Sequence, residues 1–346
     1  MKNLLFLLSL SLFVWSCTDD DPLLPTNTPV PIQPGDGLFI LNEGGFNAGN
    51  ASLDFLRLAD DRLFSGLYES ENDQPIGDVL QSAVIWKDQI YLVVNNSQKI
   101  IGLDVEDLAQ ETEIAPFTSP RFLHPLPSGI AYVTDLFSNY IHRVDLNTGL
   151  MPGDPIQVNG WTEEMVRIEG EVFVASRFSN TIYIIDTLTH QLSDSIAVDF
   201  DPASLAVDKN SKLWALCTGD EFSLSPGALL RIDPTSREIE VRHELPDYNT
   251  GITPKVRLNP DRDILYYLKE DIFKMGIDDA ALPASPLIPS DGRTLYALEI
   301  HPLTGSIFTS DAVDFVQRGM VYRYTADGTQ VQSFTAGVNP NGFVFY

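Results

Sequence analysis

Alternation of hydrophobic and polar positions recurs along the chain with a period of about forty residues. Residues 90–104, 130–145 and 172–186 each contain a β-rich run, a polar break with Ser and Asn, and a second β-rich run that ends in Asp. These terminal residues, Asp104, Asp145 and Asp186, are 41 residues apart twice, and Asp233 and Asp278 continue the series. Short strands at this period are typical of the four-stranded antiparallel blades of a β-propeller.

We therefore predict an all-β fold, a seven-bladed β-propeller. The first blade is one strand short, because residues 37–70 supply only three strand-like runs, while the chain ends in an orphan apolar run over residues 342–346. If this run becomes the inner strand of the first blade, the ring closes and two exposed sheet edges disappear. The predicted blades are residues 37–70, 76–115, 119–159, 161–199, 201–247, 253–290 and 294–335.

The aspartates after the third strands are predicted to form tight turns rather than metal sites. Asp and Asn tolerate left-handed backbone and bond to their own main chain. Segments 147–149 and 208–211 are rich in residues of this kind, so they predict hairpin connections.

The N-terminal segment predicts export and lipid attachment. Lys2 precedes an apolar run over residues 4–14, and Ser16 is the small residue before Cys17, which is the arrangement of a signal peptide. The run is too short to span a bilayer. We predict a signal peptide over residues 1–16, a lipidated Cys17 with a proline-rich tether over residues 17–36, and a propeller domain over residues 37–346.

The segment around Cys17 resembles the signal of bacterial lipoproteins, in which the thiol is acylated and the cysteine becomes the first mature residue. Residues 18–21, Thr-Asp-Asp-Asp, resemble the acidic tag that sends Bacteroidetes lipoproteins to the outer face of the outer membrane. The resemblance implies a lipid-anchored outer-membrane protein that faces the cell exterior and meets the membrane only through its lipid. The alternative is a solvated acidic start to the tether.

The net charge of the chain excludes nucleic acid as a partner. The chain has 22 basic and 48 acidic residues, a formal net charge of −26, whereas binding of nucleic acid requires a basic face. The chain has 2 cysteines, so no intrachain disulfide is left once Cys17 is acylated. Cys217 lies in an apolar run and is predicted to be a buried, unreactive thiol.

The repeat at residues 174–186 resembles the YVTN repeats of YncE-like propellers. Residues 37–46 and 50–53 resemble the start of the DUF5074-like propeller lipoproteins of Bacteroidetes that are encoded beside TonB-dependent transporters, a group that includes surface proteins capturing vitamin B12. The resemblance implies a non-enzymatic protein that binds a ligand and hands it to such a transporter. A corrinoid is the first ligand hypothesis, and no cofactor is predicted.

A ligand is expected where the loops between second and third strands, and those between blades, surround the channel. Aromatic, amide and carboxylate side chains in these loops suit a large amphipathic ligand. The alternative for each residue is a structural role in a turn or between blades. The candidate ligand-binding residues are Asn42, Glu43, Asn96, Asp135, Tyr140, Trp161, Arg177, Asn180 and Asp311, and the loops between blades add Arg121 and Tyr248.

Catalytic motifs are scarce, and two other functions stay open. The 5 histidines are isolated, without zinc-binding spacing, and no nucleophile elbow or dinucleotide fingerprint occurs. Some propeller lactonases hold calcium through Glu, Asn and Asp, so Glu43, Asn96, Asn180 and Asp311 form an alternative calcium set for a hydrolase. The third possibility is a surface module that binds protein or glycan.

Overall fold

A computed structural model describes residues 32–245 and 254–346. These residues belong to one compact unit, Pro31–Tyr346, and they form seven antiparallel sheets. The predicted seven-bladed β-propeller is confirmed. The predicted signal peptide and Cys17 lie outside the described residues, as does Tyr248.

Each blade is made from strands that follow one another in the sequence. Blade 1 contains β1 (Gly37–Asn42), β2 (Ser52–Arg57) and β3 (Arg62–Phe64), followed by the helix α1 (Leu67–Asn72). Blade 2 contains β4 (Leu80–Trp86), β5 (Gln89–Val94), β6 (Lys99–Asp104) and β7 (Gln110–Ile114). Blade 3 contains β8 (Pro120–Pro125), β9 (Ile130–Asp135), β10 (Tyr140–Asp145) and β11 (Ile156–Gln157).

The remaining blades follow the same order. Blade 4 contains β12 (Thr162–Ile168), β13 (Glu171–Ser176), β14 (Thr181–Asp186) and β15 (Gln191–Ala197). Blade 5 contains β16 (Pro202–Val207), β17 (Leu213–Cys217), β18 (Ala228–Ile232) and β19 (Ile239–Glu244). Blade 6 contains β20 (Lys255–Leu258), β21 (Ile264–Leu268) and β22 (Ile272–Gly276). Blade 7 contains β23 (Leu295–Ile300), β24 (Ile307–Asp311), β25 (Arg318–Tyr324) and β26 (Gln330–Val338), and β27 (Pro340–Phe345) ends the chain.

The last strand closes the ring, as predicted. Sheet order in blade 1 is β27-β1-β2-β3, so β27 is the inner strand. Leu38 pairs with Phe345 and Ile40 pairs with Phe343. The closure gives β1 a hydrogen-bonded neighbour on both sides, so the inner edge of β1 is covered.

The core lies between neighbouring blades. One buried cluster joins Phe173 and Ile184 of blade 4 to Leu213 and Leu230 of blade 5, and Trp214 is fully buried in the cluster shared by blades 5 and 6. Successive side chains of a strand point to opposite faces of the sheet. Both faces of a blade are covered by neighbours, which explains the continuous apolar runs in the second strands.

Two local features depart from the alternation pattern. The helix α1 is positioned by the fully buried Tyr68, whose hydroxyl donates to Gln110 of blade 2 at 2.6 Å. No helix in the described ranges has the length and apolar content needed to cross a membrane. Blade 6 has three paired strands instead of the predicted four.

Prolines explain the missing fourth strand of blade 6. The chain after β22 contains Pro283, Pro286 and Pro289, which lack the N–H group that a sheet ladder requires. This segment covers the blade edge through a single bridge between Ile272 and Ile288. The edge is therefore capped by a loop and not by a strand.

The predicted turns after the third strands are confirmed for four blades. Oδ1 of Asp104, Asp145, Asp186 and Asp233 accepts hydrogen bonds from main-chain N–H groups two or three residues ahead. The donors are Glu106 and Asp107, Asn147, Leu188 and Thr189, and Thr235 and Ser236, respectively. We call the side of the propeller with these loops the turn face. The opposite side, with the loops between second and third strands and between blades, is the mouth face.

Candidate functional site

Two cavities follow the propeller axis inwards from the mouth face. The mouth cavity has a volume of about 700 Å³ and is lined by mouth-face loops and by the first residues of the inner strands. The channel cavity, of about 410 Å³, is lined by the next residues of the same strands. Glu43, Gln81, Phe122 and Lys255 line both cavities, so the two form one continuous recess.

Irregular strand pairing supplies most of the polar lining. Six inner strands, all except β20, carry a β-bulge where they pair with the second strand of their blade. A bulge inserts an extra residue and re-aims the side chains around it. All residues of the bulged segments except Ala297 line one of the two cavities. These segments contain Gln81, Arg121 with Phe122, Glu163 with Glu164, Ala203, Tyr296 with Ala297, and Asn341.

Arg121, Trp161, Arg177 and Phe178 form a cationic and aromatic wall of the mouth cavity, which we call the mouth wall. The Cζ atoms of Arg121 and Arg177 lie 5.3 Å and 5.7 Å from the centroid of the Trp161 ring. The ring of Phe178 lies 5.1 Å from that of Trp161. Guanidinium groups at this distance are attracted by the electron-rich face of the indole, so the wall is a packed unit.

Each guanidinium group of the mouth wall is bound by a carboxylate. Nε of Arg121 donates to Oε1 of Glu163 at 2.6 Å, and Nε1 of Trp161 donates to the same oxygen. Arg177 donates through Nε and Nη2 to the two oxygens of Asp201, at 2.6 Å and 2.9 Å. Burial opposes ionisation of Asp201, but the bonds from Arg177 outweigh it and hold the pKa of that carboxyl below its usual range.

Glu43 is a buried carboxyl at the boundary of the two cavities. Its Oε2 accepts a hydrogen bond from Tyr296 at 2.9 Å, and its Oε1 accepts one from Asn341 at 2.8 Å. Burial raises the pKa of Glu43, although these two bonds and the charges of Arg121 and Lys255 act in the opposite direction. The carboxyl therefore takes up a proton more readily than a glutamate in water.

The channel cavity contains an ion cluster centred on Glu164. Its Oε1 accepts from Lys255 at 2.8 Å and from Arg257 at 3.1 Å, and its Oε2 accepts from Ser204 at 2.7 Å. Arg257 also donates to Glu299 at 2.8 Å. Burial opposes ionisation of Glu164, but Arg257 and Lys255 hold the pKa of Glu164 well below its usual range. The cluster joins the inner strands of blades 4 to 7.

The structure brings three of the predicted ligand-binding residues to the cavities. Glu43 lines both, and Trp161 and Arg177 line the mouth cavity. Arg121 also lines the mouth cavity, but it lies inside β8 and not in a loop between blades.

The other six predicted residues line neither cavity. Five of them make local structural bonds: Asn42 to Asp54, Asn96 to Asp78, Asn180 to the carbonyl of Val198, and Asp135 and Asp311 to main-chain N–H groups of Ser119 and Thr294. Tyr140 begins β10, where it pairs with Gln157 of β11, and its side chain is exposed. Asn42, Asp135 and Asp311, at the ends of strands, and Asn96 and Asn180, in loops, therefore hold neighbouring segments together.

The alternative calcium set is not assembled. Glu43 lines the cavities, whereas Asn96, Asn180 and Asp311 do not. Within residues 32–245 and 254–346, no group of three or more His, Cys, Asp and Glu side chains is placed to hold a metal ion. Cys217 is buried, and burial raises the pKa of its thiol well above the usual value, which agrees with the predicted unreactive role.

A family model matches nearly the whole propeller. The model, "Domain of unknown function (DUF5074)", matches residues 36–345. The chain belongs to the DUF5074 family. No curated protein sequence matches it.

Solved structures support the fold of this DUF5074 domain. A "Quinonprotein alcohol dehydrogenase-like protein" of Bacteroides thetaiotaomicron is 15% identical, with a TM-score of 0.71, over 90% of this chain and 78% of that one. Hydrazine synthase of Kuenenia stuttgartiensis is 13% identical, with a TM-score of 0.57, over 73% and 85%. The computationally designed protein Ika8 is 10% identical, with a TM-score of 0.57, over 90% and 91%. At such identities the likeness concerns the fold alone.

Sequence reasoning missed most of the polar lining of the DUF5074 domain. Gln81, Glu163, Glu164, Tyr296 and Asn341 lie in inner strands, which the alternation pattern treats as core. A usable signal was present, because Glu163 and Glu164 are adjacent charges inside a segment that must be an inner strand. Buried charges require partners, and adjacent ones break the alternation, so such a pair indicates both a bulge and a polar channel.

Proposed function

We propose that this protein is a lipid-anchored surface protein of the outer membrane that captures a ligand in the recess of its propeller and hands it to a TonB-dependent transporter. The observation that carries the proposal is the continuous recess, with cavities of about 700 Å³ and about 410 Å³. Ligand sites are concave, largely preformed and lined by aromatic side chains with a few convergent polar groups. The mouth cavity has this composition.

The lining favours a large ligand with hydrogen-bonding edges. Phe46, Phe122 and Trp161 offer apolar contact area, while Gln81 and Asn95 offer amide groups. Aromatic residues with a polar edge give large contact areas at a small cost in side-chain entropy. A corrinoid has a broad ring system edged with amides, so it is the first ligand to test.

Calorimetric titration of residues 36–346 with cyanocobalamin and cobinamide tests the ligand. Free haem and a siderophore serve as controls for other large ligands of outer-membrane transporters. We expect saturable binding of the corrinoids and none of the controls. Binding of haem or the siderophore instead would replace the corrinoid with that ligand, and absence of binding to all four would overturn capture of these ligand classes.

Exposed apolar side chains support docking of a protein partner on the mouth face. Among the described residues, the exposed phenylalanines all lie in loops between second and third strands: Phe46, Phe137, Phe178 and Phe222. Leu224, Val313 and Val316 are exposed in loops of the same kind. We call these seven residues the hydrophobic rim. Exposed apolar patches typically mark an interaction surface, and the exposed phenylalanines all lie on this face.

The rim predicts how the transporter meets the protein. Phe137 and Phe222 line neither cavity, so Phe137→Asp with Phe222→Asp should leave the recess intact. We expect this double variant to bind ligand normally and to lose co-purification with a transporter encoded beside its gene. Leu188→Asp with Leu303→Asp, two exposed residues on the turn face, is the matched control. Equal co-purification of both double variants would overturn docking through the rim.

A further inference from the structure

Three cationic side chains line the mouth cavity in a chain of strongly negative net charge. Arg121, Arg177 and Lys255 line it together with Glu43 and Glu163, while the whole chain carries −26. Five aromatic residues accompany these charges, namely Phe46, Phe122, Trp161, Phe178 and Tyr296. The mouth cavity is therefore less negative than the chain as a whole.

In each ion pair of the mouth wall the cation is more exposed than its carboxylate. The side chain of Arg121 is 16% exposed and that of its partner Glu163 is 5% exposed. For Arg177 and Asp201 the values are 15% and 3%. Both guanidinium groups line the mouth cavity; Glu163 lines it beside Arg121, whereas Asp201 does not line it.

The guanidinium groups keep donors for a further acceptor. Arg121 uses Nε toward Glu163 and Nη1 toward Gln81, and Arg177 uses Nε and Nη2 toward Asp201. Within the described residues, Nη2 of Arg121 and Nη1 of Arg177 have no hydrogen-bond acceptor in the protein. A guanidinium has five donors in a planar fork that matches the oxygens of a carboxylate or phosphate.

We propose that the mouth wall is an anion-binding subsite, at which Arg121 and Arg177 bind the carboxylate or phosphate of a ligand whose planar apolar part packs on Trp161 and Phe178. This proposal rests on the proposed ligand-binding function and names the chemical class that the recess selects. Indole and guanidinium groups held in contact offer a flat surface and a charge at the same place. Glu43 opposes an anion less than an ordinary glutamate would, because burial raises its pKa.

Three naphthalene probes distinguish binding through an anionic group from binding through the flat ring alone. The unit Pro31–Tyr346 contains every described strand and is titrated by calorimetry with 1-naphthoate, 1-naphthyl phosphate and the neutral 1-naphthalenemethanol. We expect at least one anion to bind at least about tenfold more tightly than the alcohol, as charge-assisted bonds require. The anion that binds more tightly shows whether the subsite selects a carboxylate or a phosphate. Equal affinity for all three probes, or no binding of any, would overturn the subsite.

Paired substitutions test the residues without leaving a buried charge. Arg177→Gln with Asp201→Asn removes both charges of one ion pair and keeps two hydrogen-bonding side chains. Arg242→Gln with Asp199→Asn is the matched control, because this pair has the same arginine–aspartate chemistry and lines neither cavity. We expect the first pair to reduce anion affinity to that of the alcohol and the second to change nothing. Equal effects of the two pairs would overturn the assignment.

Nuclear magnetic resonance locates the bound probe even if a variant fails to fold. In the wild-type protein, the indole N–H of Trp161 and the Nε–H groups of Arg121 and Arg177 should shift on addition of the anion, and Trp161→Phe assigns the indole signal. Shifts confined to other residues would contradict the proposal. This outcome is distinct from that of the corrinoid titration. Binding of naphthoate without binding of corrinoids would overturn the corrinoid hypothesis and leave the subsite. Binding of corrinoids without binding of naphthoate would overturn only the subsite.

Discussion

The turn face and the mouth face are built by the same repeats, yet they differ in regularity. On the turn face, Asp104, Asp145, Asp186 and Asp233 occupy equivalent positions and accept equivalent main-chain bonds. On the mouth face, neighbouring blades differ in bulged residues, loop contacts and exposed side chains. The comparison separates what the repeat encodes, which is the fold, from what its local departures encode, which is the recess.

The physical requirements of the two faces explain the difference. A tight turn leaves main-chain N–H groups without partners, and a short acidic side chain satisfies them in the same way in four blades. The inner strands converge on one axis, where each blade contributes a different side chain to a shared recess. Bulges at that level break the strand period, so different residues can serve one cavity.

The largest expected effect comes from removal of β27, the strand that closes the ring. Deletion of residues 342–346 removes most of β27, which pairs with β1 and lines the channel cavity. We expect loss of cooperative folding and aggregation, because β1 gains a free edge. Circular dichroism melting and size-exclusion chromatography measure this. Deletion of Tyr346 alone, beyond β27, is the control, and an unchanged melting curve for the longer deletion would contradict ring closure.

The next effect tests the ion cluster of the channel. Glu164→Ala leaves Lys255 and Arg257 without their shared carboxylate, and loss of one partner of a buried ion pair costs about 3–5 kcal/mol. Glu113→Ala is the matched control, because Glu113 is exposed where it pairs with Lys99, and such a pair contributes about 1 kcal/mol or less. Urea unfolding at pH 7 measures both. Similar losses for the two variants would show that the cluster does not stabilise the channel.

Acid should reduce the difference between wild type and Glu164→Ala. The pKa of Glu164 is lowered in the folded protein, so its contribution is complete above the unfolded value of about 4.3. That contribution declines as the pH falls below this value toward the folded pKa. Unfolding free energies measured down the acid range should therefore converge, and a constant difference would contradict this electrostatic origin.

Blade number, ring closure and turns could be predicted because each depends on a pattern spread over many residues. Strand alternation reports burial on two faces, and the apolar run at residues 342–346 had no other place in the fold. The terminal aspartates indicated turns through composition alone. The number of strands in blade 6 was overestimated. The repeat is long enough for a fourth strand, but three prolines in its outer segment prevent regular pairing.

The recess could be predicted only in part, because a bulge changes side-chain direction by one residue. Alternation assigns Glu163 and Glu164 to opposite faces, whereas the bulge brings both to cavities. Loop position was also a poor guide: Trp161 and Arg177 line the mouth cavity, but Asn96 and Asn180 bond to neighbouring loops at Asp78 and Val198. Side-chain direction in these loops is set by tertiary contacts that the sequence pattern does not report.

A smaller effect on stability, with a large effect on binding, is expected at the mouth wall. Trp161→Ala with Phe178→Ala removes both rings of the wall and should reduce 1-naphthoate affinity by about tenfold, or about 1.4 kcal/mol. Phe178 is largely exposed, so the free energy of unfolding should fall by less than the affinity does. Tyr140→Ala, which lies outside the recess, is the control. Equal losses of affinity for the control would mean that the probe binds elsewhere on the mouth face.

The smallest expected effect comes from a substitution on the turn face. Asp186→Ala removes the acceptor for the N–H groups of Leu188 and Thr189, at 3.0 Å and 2.7 Å. Water reaches this turn and offsets part of the loss of these hydrogen bonds. We expect the free energy of unfolding to fall by less than it does for Glu164→Ala, while naphthoate affinity stays unchanged. Asp186→Asn keeps an acceptor and should recover most of the stability. A change in affinity would show that the two faces are coupled, and that the turns shape the recess as well as the fold.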